Sequence, residues 1–364
     1  MSNRDGCAPC VASPPAHVRD WTSNRPKHVT TPACLPLQNS VFTMPSSART
    51  AQKSYHEPSA DPIGGDTMAH TWSPRRRLRE ALGYLRWCYL PWRTTSVTGV
   101  YDLLATRALS DHGLYLNLGY WREARTIDDA CQALVDLMAA TAALGPRDRL
   151  LDVGFGFAEQ DISWMETCHP RRIIGVNLTW SQVRLARERI AARQMADRIT
   201  LLGGSATALP LRAASVDKVT ALECAFHFET RAAFLREAYR VLRPGGRLVL
   251  ADVIAAPTPA AWGARLRHRA SWAAIRAKWG VPSANVEPQA PYRQELEASG
   301  FGRVEITSIW EDVFPPLHHW LAQPGRLRRF HPLARLPWYA LRRLDAHVVY
   351  GAVDYVLVSA DKPA

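Results

Sequence analysis

The stretch at 150–160, LLDVGFGFAEQ, constrains the fold of this chain more than any other. A short apolar run at 150–153 leaves through Gly154 and Gly156 and passes at once into a helical pattern. Glycine adopts positive φ without steric cost and allows close backbone approach. A parallel strand that ends in glycines and enters a helix is a ligand-binding device of open α/β sheets, whose crevice lies at the strand's carboxyl end. The signal is weak alone, because Ala158 stands where such loops often carry a third glycine.

The flanking sequence supplies the rest of the sheet. Strands are expected at 172–177, 199–202, 216–222 and 247–253, with helices at 181–195 and 231–242 between them. Arg243-Pro244-Gly245-Gly246 closes the second helix. This rhythm predicts an α/β doubly wound, Rossmann-like parallel sheet. Upstream, 126–144 reads as a helix with Asp128 and Asp129 in its first turn, where acids suit the dipole, and with Gly145-Pro146 as its stop. Pro and Trp break the rhythm over 255–290, which reads as a helical lid insertion. A helix at 292–299, a strand at 304–309, a basic aromatic segment at 313–345 and a last strand at 353–359 follow.

Three regions are expected: a disordered extension over 1–67, a helical N-terminal segment over 68–145, and the main domain over 146–364. Residues 1–67 are rich in Ser, Thr, Pro and Ala and lack periodicity. The sequence changes character at Met68, so the working protein is expected to start near there; acids such as Asp5, Asp20 and Glu57 disfavour a transit peptide. Within 74–92, Leu78, Leu82 and Leu85 share one helical face beside Arg75, Arg76, Arg77 and Arg79. That helix reads as a cover over a core with a solvated charged face, or as a helix lying on a membrane.

The 364 residues are 47% hydrophobic and 21% charged, enough for a sizeable core, and no apolar run approaches the ~20 residues of a membrane span. A cytoplasmic location is expected, with membrane association as an addition. The net charge of +12 suits nucleic acid, an anionic membrane or an acidic substrate, although an Arg-rich genomic style accounts for it equally well. Cys7 and Cys10 form a CxxC with Cys34 nearest, but no second pair completes a zinc set, so no metal is expected. Scattered thiols fit a reducing compartment.

Two nucleotide cofactors compete for the glycine loop. Asn177 ends the second strand, 21 residues after Gly156, where its amide can reach a ribose hydroxyl. A pyrophosphate wants a helix N-terminus free of acids, whereas Glu159 and Asp161 begin this helix. They tolerate the sulfonium and amino group of S-adenosylmethionine (SAM) better than the phosphates of NAD.

Two further segments carry a resemblance. GGSATALPLRAASVDKVTALECAFHF (203–228) and FLREAYRVLRPGGRLVLADV (234–253) resemble class I SAM-dependent methyltransferases. LYLNLGYW and ECAFHF resemble their small-molecule branch, which includes sterol, tocopherol and ubiquinone-type C-methyltransferases and natural-product O- and N-methyltransferases. The resemblance covers about 115–310 plus the final strand. It implies a seven-stranded sheet with the last strand antiparallel, a mobile lid and SAM as cofactor.

It also implies roles. Gly154 and Gly156 match the bend under the methionine part of SAM, and Asp152 an acid that orients the loop and can reach the amino group. Asn177 and Leu178 match the ribose and adenine contacts, with Gln182 on the next helix turn. Ser205 and Ala206 match the adenine edge, Ser205 standing where Asp is common. Glu223 and Cys224 line the methionine side. Tyr115, Asn117, Tyr120 and Trp121 match a segment that closes over SAM, although the two last read equally as core. His227, after the fourth strand, is the candidate base, with Asp252 to orient or assist it.

The acceptor is expected to be a small hydrophobic molecule such as a lipid, isoprenoid or polyketide, because Trp262, Trp272 and Trp279 and residues 320–343 mix Trp with Arg as membrane headgroup zones do. Nucleic acid is not expected as a partner: ECAFHF replaces the Asn/Asp-Pro-Pro-aromatic motif of base methyltransferases. A dehydrogenase and a non-catalytic SAM-binding scaffold are the alternatives. Oligomeric state is open.

Overall fold

Alternating apolar runs become one seven-stranded sheet of order β3-β2-β1-β4-β5-β7-β6. Its strands are β1 (Arg149–Val153), β2 (Arg172–Asn177), β3 (Ile199–Gly203), β4 (Val216–Leu222), β5 (Leu242–Ala255), β6 (Gly302–Ser308) and β7 (Val353–Asp361). The first five are mutually parallel, and β7 inserts antiparallel between β5 and β6. The computed structural model describes residues 74–90, 98–99, 110, 112–329 and 331–364. The expected extension at 1–67, with Cys7, Cys10 and Cys34, lies outside the described residues.

The helices are α1 (Pro74–Tyr89), α2 (Ile127–Ala142), α3 (Glu159–Thr167), α4 (Trp180–Ala192), α5 (Arg231–Val241), α6 (Trp262–Trp279), α7 (Gln289–Ala298), α8 (Trp310–Ala322), α9 (Pro332–Leu341) and α10 (Ala346–Tyr350). Thr126 caps α2 by accepting from the Asp129 amide at 3.1 Å, and Ala143 ends it in the left-handed region. Strand order reverses at β1, between β2 and β4, so the glycine loop opens at the switch point where such sheets bind ligands.

Apolar residues fill both faces. One layer joins Leu134 and Met138 of α2, Trp164 of α3, Val183 of α4 and Phe314 of α8. The other joins Phe234 of α5 and Tyr292 and Leu296 of α7 to Leu151, Val219 and Leu250. Such burial is the main favourable term in folding.

Three expectations shift. The turn at 243–246 lies inside β5, because Gly245 and Gly246 exchange hydrogen bonds with Lys362 beyond β7. The Lys362 ammonium then donates to Tyr239 O and Leu242 O, satisfying carbonyls that α5 leaves open. Segment 313–345 is only half basic surface: Val313, Phe314, Leu317, Trp320 and Leu321 of α8 are core. On α1, Leu78, Leu82 and Leu85 point outward, and the buried residue is Tyr84. It stacks on His331 at 4.2 Å, so α1 packs on α9 through an aromatic contact and leaves its leucine face outside.

Candidate cofactor and active site

Gly154 and Gly156 have φ of +80° and +56°. A Cβ on Gly154 would lie 2.5 Å from Cys224 Sγ, so glycine is required there by conformation and by space. Cys224 Sγ donates to Val153 O at 3.0 Å, and the Gly154 amide donates to Val176 O at 2.7 Å. These bonds join the carboxyl ends of β1, β2 and β4 around the loop. Phe155 and Phe157 are buried, fixing the loop from beneath.

Four acids surround this bend. Asp152 is fully buried and accepts from Thr220 Oγ1 at 2.8 Å and Gln160 Nε2 at 3.0 Å. Burial pushes its carboxyl up to about 7. Glu223, at φ +51°, accepts from Leu118 N at 2.7 Å and Tyr355 OH at 2.6 Å, and burial pushes it up to about 7 also. Asp161 is fully buried, and neither carboxylate oxygen has a hydrogen-bond partner among the described residues. Burial, then the adjacent Asp152, hold it well above the carboxylate range. Glu159 is different: it pairs with Arg189 and accepts from Leu114 N. It therefore fastens the segment before α2 to α3 rather than facing a ligand.

The residues expected to face adenosine are uncharged, two of them apolar. Asn177 Nδ2 donates to Gln182 Oε1 at 2.8 Å, and Gln182 Nε2 is buried with no partner among the described residues. Leu178 is 42% exposed, open as an apolar platform. Ser205 Oγ is held by Thr207, at 2.9 Å from its hydroxyl and 3.2 Å from its amide, and Ala206 is buried beside it.

The N-terminal residues are anchored mostly to the body. Tyr115 OH donates to Gln132, Asn117 Oδ1 accepts from Gly119 N at 3.0 Å, and Trp121 packs against Trp320. Tyr120 is partly buried near Asp312, which raises its hydroxyl after burial does. Their side chains shape the segment. The contact to the site runs through the backbone, from Leu118 N to Glu223.

His227 sits in a single 3-10 turn, Ala225–His227, just after β4. It is buried, which pushes its imidazole down to about 3 against a backbone hydrogen bond with Trp279. The ring is thus neutral at ordinary pH. Trp279 ends α6, so the insertion after β5 reaches this histidine. Asp252 is not placed to assist it. Its Oδ2 takes Arg231 Nε at 2.8 Å and Tyr292 OH at 3.1 Å, and its Oδ1 takes Phe226 N at 3.1 Å and Val253 N at 2.9 Å. Asp252 thus has both oxygens occupied by structural partners, and its bond to Phe226 N steadies the turn that carries His227.

Sequence reasoning missed Arg231. It is 1% exposed, and its guanidinium also reaches Asn285 O, Val253 O and Glu287. A signal existed: a cation in the first turn of a helix opposes the dipole and needs another reason to be there. Asn285 completes the network by holding Phe226 O and Phe228 O, so the insertion grips the loop that carries His227.

The glycine bend, the buried carboxyls beside it and the Asn177–Gln182 amide pair have the chemistry that SAM needs, a close backbone approach, negative charge and uncharged hydrogen-bonding groups. A family model described as a methyltransferase domain matches residues 151–250. The chain is 35% identical over 271 residues to erythromycin 3''-O-methyltransferase of Saccharopolyspora erythraea, covering 72% of this chain and 89% of the relative. It is 38% identical over 161 residues to 27-O-demethylrifamycin SV methyltransferase of Amycolatopsis mediterranei, covering 44% and 59%. Among solved structures, the [4+2]-cyclase SpnF matches with a TM-score of 0.57 at 23% identity, over 75% of this chain and 98% of that one. Geranyl diphosphate C-methyltransferase of Streptomyces coelicolor matches at 0.55 and 14%, over 78% and 97%. These two show the fold alone.

The fold and site thus define a Rossmann-like, SAM-binding enzyme. The chain belongs to the SAM-dependent methyltransferases that act on small molecules.

Proposed function

We propose that this enzyme O-methylates a hydroxyl on a bulky, hydrophobic natural product of polyketide type. The observation that carries this reading is the 35% identity to erythromycin 3''-O-methyltransferase across 89% of that relative. SAM supplies a methyl on a positively charged sulfur. The chain's own residues would do the rest. Gly154 and Gly156 admit the methionine end, and Asp152, Asp161 and Glu223 offer negative charge to its cationic groups. Asn177 and Gln182 orient the ribose, Leu178 and Ala206 flank the adenine, and the segment at 115–121 closes above.

His227 is the base in this reading. Burial keeps the imidazole neutral but, at about 3, a weak base, so it takes the acceptor's proton late, after the hydroxyl oxygen has attacked the methyl in line and become acidic. The lid over 255–290 controls access to it. A hydrophobic acceptor partitions into lipid, so delivery from a membrane surface fits the basic aromatic helices.

Transfer of label from methyl-labelled SAM tests the reaction, using macrolide glycosides and polyketide alcohols beside amine analogues of the same skeleton. Label appearing on alcohols only, and a roughly 10²–10⁴-fold drop in kcat for His227→Ala with unchanged S-adenosylhomocysteine binding, is expected. Equal labelling of the amines, or a full-rate His227→Ala enzyme, would sink the base assignment.

A further inference from the structure

The positive charge of this chain is segregated. Residues 74–93, 253–286 and 313–344 hold 17 of the 45 Lys and Arg but only one of the 33 Asp and Glu, Glu80. These segments thus carry a net +16, and the remainder of the chain a net −4. The helices they form are joined. Trp87 of α1 donates to Lys278 O at 2.7 Å and meets Trp279 of α6 edge-on. Tyr89 of α1 donates to Leu333 O of α9 at 2.8 Å.

Each of the three turns outward a face that mixes large apolar side chains with arginine. On α1 the exposed positions are Leu78, Leu82, Leu85 and Tyr89, at helical spacing, with Arg79 and Arg86 alongside. On α6 they include Trp262 and Leu266, with Arg265 and Arg269. On α9 and just beyond they are Leu336, Tyr339 and Leu344, with Arg343. Trp262 is 79% exposed, Leu336 66% and Leu82 48%. Large apolar side chains turned outward on three helices that touch one another mark an interaction site.

We infer that the outer faces of α1, α6 and α9 dock on an anionic lipid bilayer. Leu, Trp and Tyr enter the headgroup and acyl boundary, while Arg side chains stay at phosphate level. The chemistry favours lipid over other anionic partners. A nucleic-acid backbone would use the arginines but not the outward leucines of α1. A second copy would bring its own +16 against the first. Among the described residues no helix is long and apolar enough to cross a membrane, so the contact is one-sided. This surface deepens the hydrophobic-acceptor reading above: α6 lies on it and ends at Trp279, which bonds to His227.

The test is sedimentation of the full chain with phosphatidylcholine vesicles, alone or mixed with phosphatidylglycerol, alongside a Leu82→Glu/Trp262→Glu/Leu336→Glu variant. Pelleting on the anionic vesicles only, weakened by salt and reduced roughly a hundredfold in apparent affinity by the variant, is expected. S-adenosylhomocysteine titration shows that the variant remains folded. No pelleting of the wild type, or pelleting that the variant leaves intact, overturns the proposal. So does a wild-type dimer in light scattering that the variant converts to monomer, because a second copy would then be the occupant. Labelled transfer to a soluble macrolide glycoside is read separately, so failure of the lipid contact and failure of the reaction remain distinguishable.

Discussion

At the scale of single residues, Gly154 and Asp161 make opposite demands. A side chain at position 154 meets Cys224 and forces an L residue to positive φ, a cost of about 1–2 kcal/mol before any clash. Gly154→Ala is therefore expected to weaken S-adenosylhomocysteine binding by about tenfold or more, read by calorimetric titration. Asp161 is a buried carboxyl with no partner among the described residues. Asp161→Asn is expected to leave the cofactor-free melting temperature equal or higher, because position 161 no longer carries a buried carboxyl that can ionise beside Asp152, yet to weaken cofactor binding by about tenfold. A variant that loses melting temperature and keeps its affinity would show that Asp161 serves the fold instead. Asp152 and Glu223 are pushed up to about 7 by burial, so both are partly protonated near neutrality. A bound cation favours their ionised forms, and protons leave. Titration in two buffers of different ionisation enthalpy should show proton release near pH 7, smaller in Asp161→Asn.

At the scale of elements, a fully buried ion pair ties α5 to β5. Arg231 and Asp252 are both fully enclosed, and each also bonds to groups of the loop after β4 or of the insertion. Removing one partner of a buried pair leaves the other charged and alone, at about 3–5 kcal/mol. Asp252→Ala and Arg231→Met are each expected to lower stability by that order in denaturant unfolding. The double variant should be less damaged than their sum. If His227 relied on Asp252 for catalysis, Asp252→Asn would reshape the pH–rate profile. The geometry predicts a less stable enzyme with the profile unchanged. A second tie joins α3 to the segment before α2, through Arg189, Glu159 and Leu114 N. Glu159→Gln keeps the shape and removes the charge, so that segment should open more often. The expected result is faster cofactor dissociation, seen by stopped flow, with little change in melting temperature.

At the scale of the whole molecule, buried titratable groups set an unusual pH response. Asp152, Asp161 and Glu223 have folded pKa values above their ordinary ones, so the folded chain binds more protons than the unfolded chain between about pH 4 and 7. Their contribution grows as pH falls through that window and is lost as pH rises through 7. His227 works the other way: its folded value of about 3 lies below 6.5, so it costs stability as pH falls from 6.5. Glu287, which burial also pushes up to about 7, and Asp354, raised by burial, act in the same direction, so five carboxyls oppose His227 and Glu237, which despite burial is lowered by its hydrogen bond to Arg240. The cofactor-free protein is expected to melt higher near pH 5.5 than near 7.5, and S-adenosylhomocysteine should narrow that difference. Scanning fluorimetry across this range checks both; a stability that falls monotonically toward acid would show that the site carboxyls are ionised in the free protein.

Local periodicity was enough to place the sheet. β2 and β4 begin and end where their apolar runs do, and α2 starts beside its threonine cap, because these signals act within a few residues. The glycine bend was legible for the same reason, since positive φ is a local demand that few residues meet. What the sequence did not hold was the pairing of polar groups distant along the chain. By its apolar run Asp252 closes the fifth strand as a catalytic acid would, but β5 continues to Ala255 and packing put Arg231, Tyr292 and two backbone amides on its oxygens. Glu159 looked like an acid facing a cation until Arg189 came to rest beside it. The outward leucines of α1 read as a buried face, because helical spacing shows that a stripe exists but not which side has a neighbour. Conformation was thus written residue by residue. The role of each charge and the direction of each face were decided by partners 20 to more than 100 positions away, brought together only by the closed core.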